Sequence, residues 1–142
     1  DSNWRTLAAG ATDANGVIAV PVIIAQRSQI RLVSEGSWER SEGKTAEKII
    51  SVVPSVSLSL PASVKAAASY AVTGQVLPKV AGVKLTVKQN GKSLGEFITD
   101  ATGSFSFKIA PTATGLATYQ VLIAAGEKNT AGISDEITVL VR

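Results

Sequence analysis

Between residues 55 and 142 the chain repeats one pattern: short blocks of strictly alternating apolar and polar side chains, punctuated by Gly, Pro, Asn and Thr. Phe105, Phe107 and Ile109 alternate with Ser104, Ser106 and Lys108, and Val83, Leu85 and Val87 with Lys84, Thr86 and Lys88. Successive side chains of a strand point to opposite faces, so this period of two puts one face in a core and the other in water. The pattern recurs at Val56, Leu58 and Leu60 and at Tyr70 and Val72 running on through Gly74 to Leu77. Tyr119, Val121 and Ile123 repeat it, and Ile137, Val139 and Val141 finish it. Asn90-Gly91 favours the two positive φ angles of a type I′ turn, so residues 92–98 are expected to return antiparallel to the strand before them. Residues 62–68 are too short for a stable helix and are expected to form a loop. Seven short strands with turn signals every ~8–12 residues predict an all-β, two-sheet antiparallel sandwich.

The turn Thr12-Asp13-Ala14-Asn15-Gly16 reappears as Thr99-Asp100-Ala101-Thr102-Gly103, an offset of 87 residues, and the alternation after it keeps register. Ile18, Val20 and Val22 fall where Phe105, Phe107 and Ile109 fall, and Ile50 and Val52 where Ile137 and Val139 fall. Ile30 and Leu32 match Tyr119 and Val121 with a two-residue slip. The expectation is a tandem array divided near Val53-Pro54-Ser55: a complete module over residues 55–142, preceded in residues 1–54 by the C-terminal half of another. In that half, strands are expected at residues 4–8, 17–24, 29–33 and 48–53. Their inner faces, Ile18, Val20, Val22, Ile30, Leu32, Ile50 and Val52, would be uncovered, forfeiting roughly 10 to 20 kcal/mol at ~1.5–3 kcal/mol per side chain. Upstream polypeptide or a second chain is therefore expected to complete residues 1–54; a small self-sufficient sheet is the rival. Pro54 fixes φ and removes a donor, so the joint is expected to be short and stiff.

Composition narrows the chemistry. The chain has no His, no Cys and no Met, which excludes His-based acid–base catalysis, thiol nucleophiles, disulfides and Cys/His zinc sites. Apolar residues make up 45%, too many for a disordered chain. Its net charge of +3 arises wholly after residue 54, from lysines scattered singly and without interleaved aromatics, so no nucleic-acid groove is expected. The longest apolar stretch, residues 17–25, contains Pro21 and is far shorter than the ~20 residues of a membrane helix, so no membrane span is expected. Starting at Asp1 without Met or a leader, the chain is expected to be a processed product or a piece of something longer.

Candidate sites are few. Asp13 and Asp100 read as turn residues, each accepting backbone N–H groups two residues on while Gly16 and Gly103 supply positive φ; Asn90 and Gly91 play the same part in the hairpin. A calcium loop would need six to eight oxygens, and each turn offers one carboxylate. Glu35, Glu39, Glu42 and Glu47 are interleaved with Arg40, Lys44 and Lys48, which points to solvated ion pairs rather than a glycosidase carboxylate pair. Trp38 and Trp4 are candidate ligand contacts, since exposed aromatics bind sugars, although a Trp in a sandwich also serves to plug a core edge. Within residues 55–142, Lys65 and Asn129 are the one pair loosely suited to an isopeptide cross-link. Many Ser and Thr are present, but without His nothing activates them as nucleophiles. No catalytic residue, metal or cofactor is expected.

The Thr-Asp-Ala-x-Gly turn, the alternating strand after it, the Tyr119 to Val121 strand, the Gly-centred loop bearing Trp38 or Asn129 and the final Ile/Val strand together resemble bacterial immunoglobulin-like and fibronectin-III-like repeat modules. The resemblance implies an immunoglobulin-like antiparallel β-sandwich in a secreted or cell-surface bacterial protein, acting as a non-catalytic spacer, stalk or adhesive repeat. Surface loops would then offer sites to a protein or glycan. Two alternatives from other classes are a carbohydrate-binding accessory module of a secreted hydrolase and a phage or filament subunit completed between chains.

Overall fold

A computed structural model of the chain describes residues 3–142. Among the described residues thirteen strands run in chain order. The first four are β1 (Ser28–Ile30), β2 (Val33–Ser34), β3 (Gly43–Lys44) and β4 (Lys48–Ile50). They are followed by β5 (Ser55–Ser59), β6 (Ser63–Val64), β7 (Tyr70–Leu77), β8 (Lys84–Gln89) and β9 (Lys92–Ile98). The last are β10 (Ser104–Ile109), β11 (Gly115–Ile123), β12 (Gly132–Ile133) and β13 (Ile137–Val141).

From β5 onward the strands form two sheets. One has the order β10-β7-β5; the other has the order β6-β13-β11-β8-β9, with β12 also bonded to β11 beyond the end of β13. The alternation decides which side chains meet between them. Phe105, Phe107 and Ile109 of β10 and Val72 and Val76 of β7 face Leu85, Val87, Tyr119, Val121 and Val139 of the other sheet, and all are buried. Intervening residues such as Lys84, Ser106 and Lys108 stay exposed. Phe107 holds Phe97 and Phe105 at ring-centroid distances of 5.6 and 6.2 Å, the offset spacing aromatic pairs prefer. Gly74 makes room for this cluster, because a Cβ there would collide with the Phe105 ring.

Asn90 and Gly91 take φ of 49° and 78° and close a two-residue β8–β9 turn, with Gln89 opposite Lys92. Three details differ from the sequence-based expectation. Ser63 and Val64, expected in a loop, form β6: the first strand leaves the three-stranded sheet after β5, crosses the sandwich and pairs parallel with β13. Strand β11 begins at Gly115, since Gly115 and Leu116 find partners in Val141 and Leu140. A short additional strand, β12, precedes the last strand, and between them the Ser134 hydroxyl substitutes for a ladder carbonyl by accepting the Val121 N–H at 2.8 Å.

Residues 28–50 form one interrupted hairpin, β1 with β4 and β2 with β3. Its interruption repeats that of the later hairpin. Thr45 N donates to Leu32 O at 2.9 Å while Leu32 N donates to Thr45 Oγ1 at 3.0 Å, and Ser134 and Val121 make the same two bonds 89 residues on. The register corrects one expectation: Ile50 opposes Ser28 as Val139 opposes Ala117, so the two-residue slip persists to the chain's last strand and Ile50 matches Val139, not Ile137. A slip of two keeps each side chain on its own face. Residues 4–8 and 17–24, expected as strands, carry no ladder; the Asp13 turn and Gly10 beside Ile18 and Val20 bring them together, and Trp4 meets Arg31. Between residues 3 and 53 no residue is buried, and the first buried position is Pro54.

Candidate functional site

The two repeated turns agree bond for bond. Asp13 Oδ1 accepts the N–H groups of Asn15 and Val17 at 2.8 and 2.9 Å, and Asp100 Oδ1 those of Thr102 and Ser104 at 2.8 and 3.0 Å. Gly16 and Gly103 share φ of 75°, where a side chain is disfavoured. Asp100 gains one further donor, the Thr102 hydroxyl, which together with the backbone donors holds its carboxyl below the ordinary aspartate value. Asn90 does more than turn the chain: its side-chain oxygen accepts the Thr118 N–H at 2.8 Å and ties the β8–β9 corner to β11.

Trp38 stands at the tip of the loop between β2 and β3 and is 93% exposed. A tight turn presents it, with Ser37 N donating to Arg40 O at 2.8 Å and Ser37 Oγ accepting the Glu39 N–H. Trp4 lies instead under Arg31, whose guanidinium carbon is 4.0 Å from the ring centroid, a cation–π contact. Arg31 also faces Glu47 at 3.7 Å. Of the four glutamates, then, Glu47 belongs to the hairpin and Glu35, Glu39 and Glu42 to the exposed loop. Among the described residues no group of three His, Cys, Asp or Glu side chains is placed to hold a metal, and no helix is long and apolar enough to cross a membrane. Lys65 and Asn129 are separated by the length of β11: Lys65 follows β6 beside the Gly115 end, while Asn129 lies past Ile123, some ~25 Å away at ~3.3 Å per residue, so they cannot be cross-linked. Asn129 is instead a loop brace, donating to Ala124 O and Thr130 O.

The residue pattern put a joint near Val53-Pro54-Ser55 but did not reveal the contacts that hold it. Arg27 N donates to Lys128 O, and Thr130 donates to Val52 O through both its N–H, at 3.0 Å, and its hydroxyl, at 3.2 Å. Pro54 is buried against Gly132, where a Cβ would stand 2.8 Å from Pro54 O. Ala25, Val52 and Pro54 meet Val76, Pro78 and Val80 around a small apolar gap of about 10 Å³. The loop of residues 124–131 is thus seated on the end of the preceding hairpin. The signal that could have located it is the equal length of the loops at 35–42 and 124–131, visible once the offset is taken as 89.

No protein-family model matches the chain, and no curated protein matches it. Several solved structures are similar in fold. A bacterial ice-binding adhesin of 1.5 MDa aligns at 17% identity over 80% of this chain and 40% of that one, with a TM-score of 0.48. The CARDB domain of a Pyrococcus furiosus protein aligns at 16% identity over 63% of this chain and 95% of that one, with a TM-score of 0.47. A superoxide reductase (neelaredoxin) variant from Ignicoccus hospitalis aligns at 14% identity over 62% of this chain and 80% of that one, with a TM-score of 0.45.

Proposed function

We propose that this chain is a non-catalytic structural segment of a secreted or cell-surface bacterial protein, a spacer or adhesive stalk built from immunoglobulin-like sandwiches in series. Residues 55–142 are one sandwich. Residues 1–54 are the C-terminal half of another, completed by polypeptide outside residues 1–142. The observation that carries the reading is the joint: backbone hydrogen bonds from Arg27 to Lys128 and from Thr130 to Val52, closed over a buried Pro54, hold consecutive units at a set angle, which a spacer needs and a flexible tether lacks. Completion is supported by the contrast between equivalent residues. Val121 and Val139 are fully buried, whereas their counterparts Leu32 and Ile50 are 52% exposed and half-buried. Thr99 is buried, accepting the Val83 N–H at 3.0 Å and donating to Val80 O, while Thr12 at the same point of the repeat is exposed.

The test is a chimera in which residues 55–98 replace residues 1–11 and run directly into residue 12, supplying the opening strands by the 87-residue correspondence. The expected result is a second cooperative unfolding transition, with amide protection at Leu32 and Ile50. If the native chain already shows an independent cooperative transition for residues 3–53, the completed-half reading is wrong. The exposure of Trp38 favours a second reading, a carbohydrate-binding accessory module; glycan binding that disappears in Trp38→Ala would establish it.

A further inference from the structure

The loops at 35–42 and 124–131 are equal in length and folded alike: Ser37 N donates to Arg40 O at 2.8 Å, and Gly126 N to Asn129 O at 2.9 Å, 89 residues on. The second loop has an occupant. Its Lys128 carbonyl accepts the Arg27 N–H and its Thr130 N–H and hydroxyl donate to Val52 O, while Glu127 shares a crevice with Arg27, Gln29 and Ile49 of the preceding hairpin. In the first loop the matching groups are the Glu39 carbonyl, the Ser41 N–H and hydroxyl, and Trp38 in place of Glu127. Neither the Glu39 carbonyl nor the Ser41 N–H has a hydrogen-bond partner among the described residues.

We infer that the loop of residues 35–42 is the seat of a preceding module of the same fold, taken up through the end of that module's last hairpin. The Glu39 carbonyl accepts the N–H equivalent to that of Arg27, and Ser41 donates to the carbonyl equivalent to that of Val52. Trp38 then covers the outer face of that hairpin, at the position corresponding to Ile49. This rests on the tandem reading above and gives the exposed tryptophan a protein partner rather than a sugar. In residues 55–142 the equivalents of Arg27, Gln29 and Ile49 are Leu116, Thr118 and Thr138, so an indole closing over that face covers leucine and threonine methyl groups and itself leaves water.

Residues 55–142 contain every member of the buried core, so a copy of them can serve as the preceding module. The probe is a three-unit chain: residues 55–142, one proline standing for Pro54, residues 55–98, then residues 12–142. Trp38 is its single tryptophan. Amide exchange is read at Ser41, with Thr130 of the same chain as the internal reference for a seated loop. Expected are protection of Ser41 by about tenfold relative to the two-unit chimera, the worth of one to two net hydrogen bonds, and a blue-shifted, quencher-shielded Trp38. An unprotected Ser41 beside a protected Thr130 overturns the docking whether or not the completed sandwich forms. Missing protection at Leu32 and Ile50 sinks the completion reading instead. Protection of Ser41 in the native chain that appears only as it dimerises assigns the loop to a second copy and overturns the preceding-module assignment.

Discussion

Ser134 satisfies both backbone groups of Val121, accepting its N–H on Oγ at 2.8 Å and donating its own N–H to the Val121 carbonyl at 2.9 Å. Val121 is fully buried, so its N–H has no access to water. Ser134→Ala is expected to cost about 1–3 kcal/mol, the penalty for an orphaned buried donor. Ser134→Thr should recover most of it, because Thr45 makes the same two bonds to Leu32. Urea denaturation of the full chain checks both.

Tyr119 is fully buried and its hydroxyl has no hydrogen-bond partner among the described residues. Tyr119→Phe removes that group and is expected to stabilise the chain by about 1 kcal/mol. Burial also raises the Tyr119 pKa above its usual 10.0. As pH climbs past the unfolded-state value the unfolded chain loses this proton first, so stability falls with rising pH. Alkaline unfolding curves should therefore be shallower in Tyr119→Phe.

Gly16 and Gly103 share one φ but not one environment. A Cβ on Gly103 would lie 2.7 Å from Val76 O and 2.9 Å from Lys79 Cα, whereas nothing lies within 4 Å of one on Gly16. Both Ala variants incur the backbone strain of about 1–2 kcal/mol; only Gly103→Ala adds a backbone collision. It should lower the thermal midpoint clearly more than Gly16→Ala.

Asp100 is held below its ordinary pKa by the Thr102 hydroxyl first, then by the Ser104 and Thr102 N–H groups. A carboxylate depressed in the folded state contributes stability above the unfolded pKa and loses it as pH falls through the folded value. Asp100→Asn is expected to flatten the acid limb of the stability profile below about pH 4, leaving the two proteins alike once the carboxyl is protonated. Because Asp100 is exposed the effect should be small, and thermal melts in low salt are the sensitive measurement.

Gly132→Ala drives a Cβ into Pro54 O at 2.8 Å and Pro54 Cγ at 3.0 Å. The core of residues 55–142 lies elsewhere, so this substitution should loosen the joint with little loss of fold stability. Small-angle scattering is expected to show a broader distribution of long distances, and Thr130 amide exchange should quicken.

What the residues disclosed and what they withheld divide along one line. Positions with a strict period of two, such as Phe105 to Ile109 and Val83 to Val87, gave strand and face together, because alternation has no other stable use. Asn90-Gly91 gave the hairpin because few dipeptides accept two positive φ angles. Ser63 and Val64 were illegible, since a two-residue strand has no period and its parallel partner lies some 77 residues away, from Ser63 to Leu140. The contacts that close the joint were hidden for a related reason: Arg27, Val52 and Lys128 act through backbone atoms, which carry no residue-type signature, and Thr130 adds only a hydroxyl. Residues 17–24 have the alternation of a strand but no neighbour to bond, and a ladder takes two.

The crossing of the opening strand from β5 to β6 sets Ser63-Val64 alongside Leu140-Val141, pointing the same way. Tension applied at the two ends of residues 55–142 therefore drags these strands past each other lengthwise. Leu140 N to Ala62 O, Arg142 N to Val64 O and Ala66 N to Arg142 O are loaded simultaneously rather than peeled one after another. A module fastened in this way resists pulling along its own axis, whatever its stability to heat.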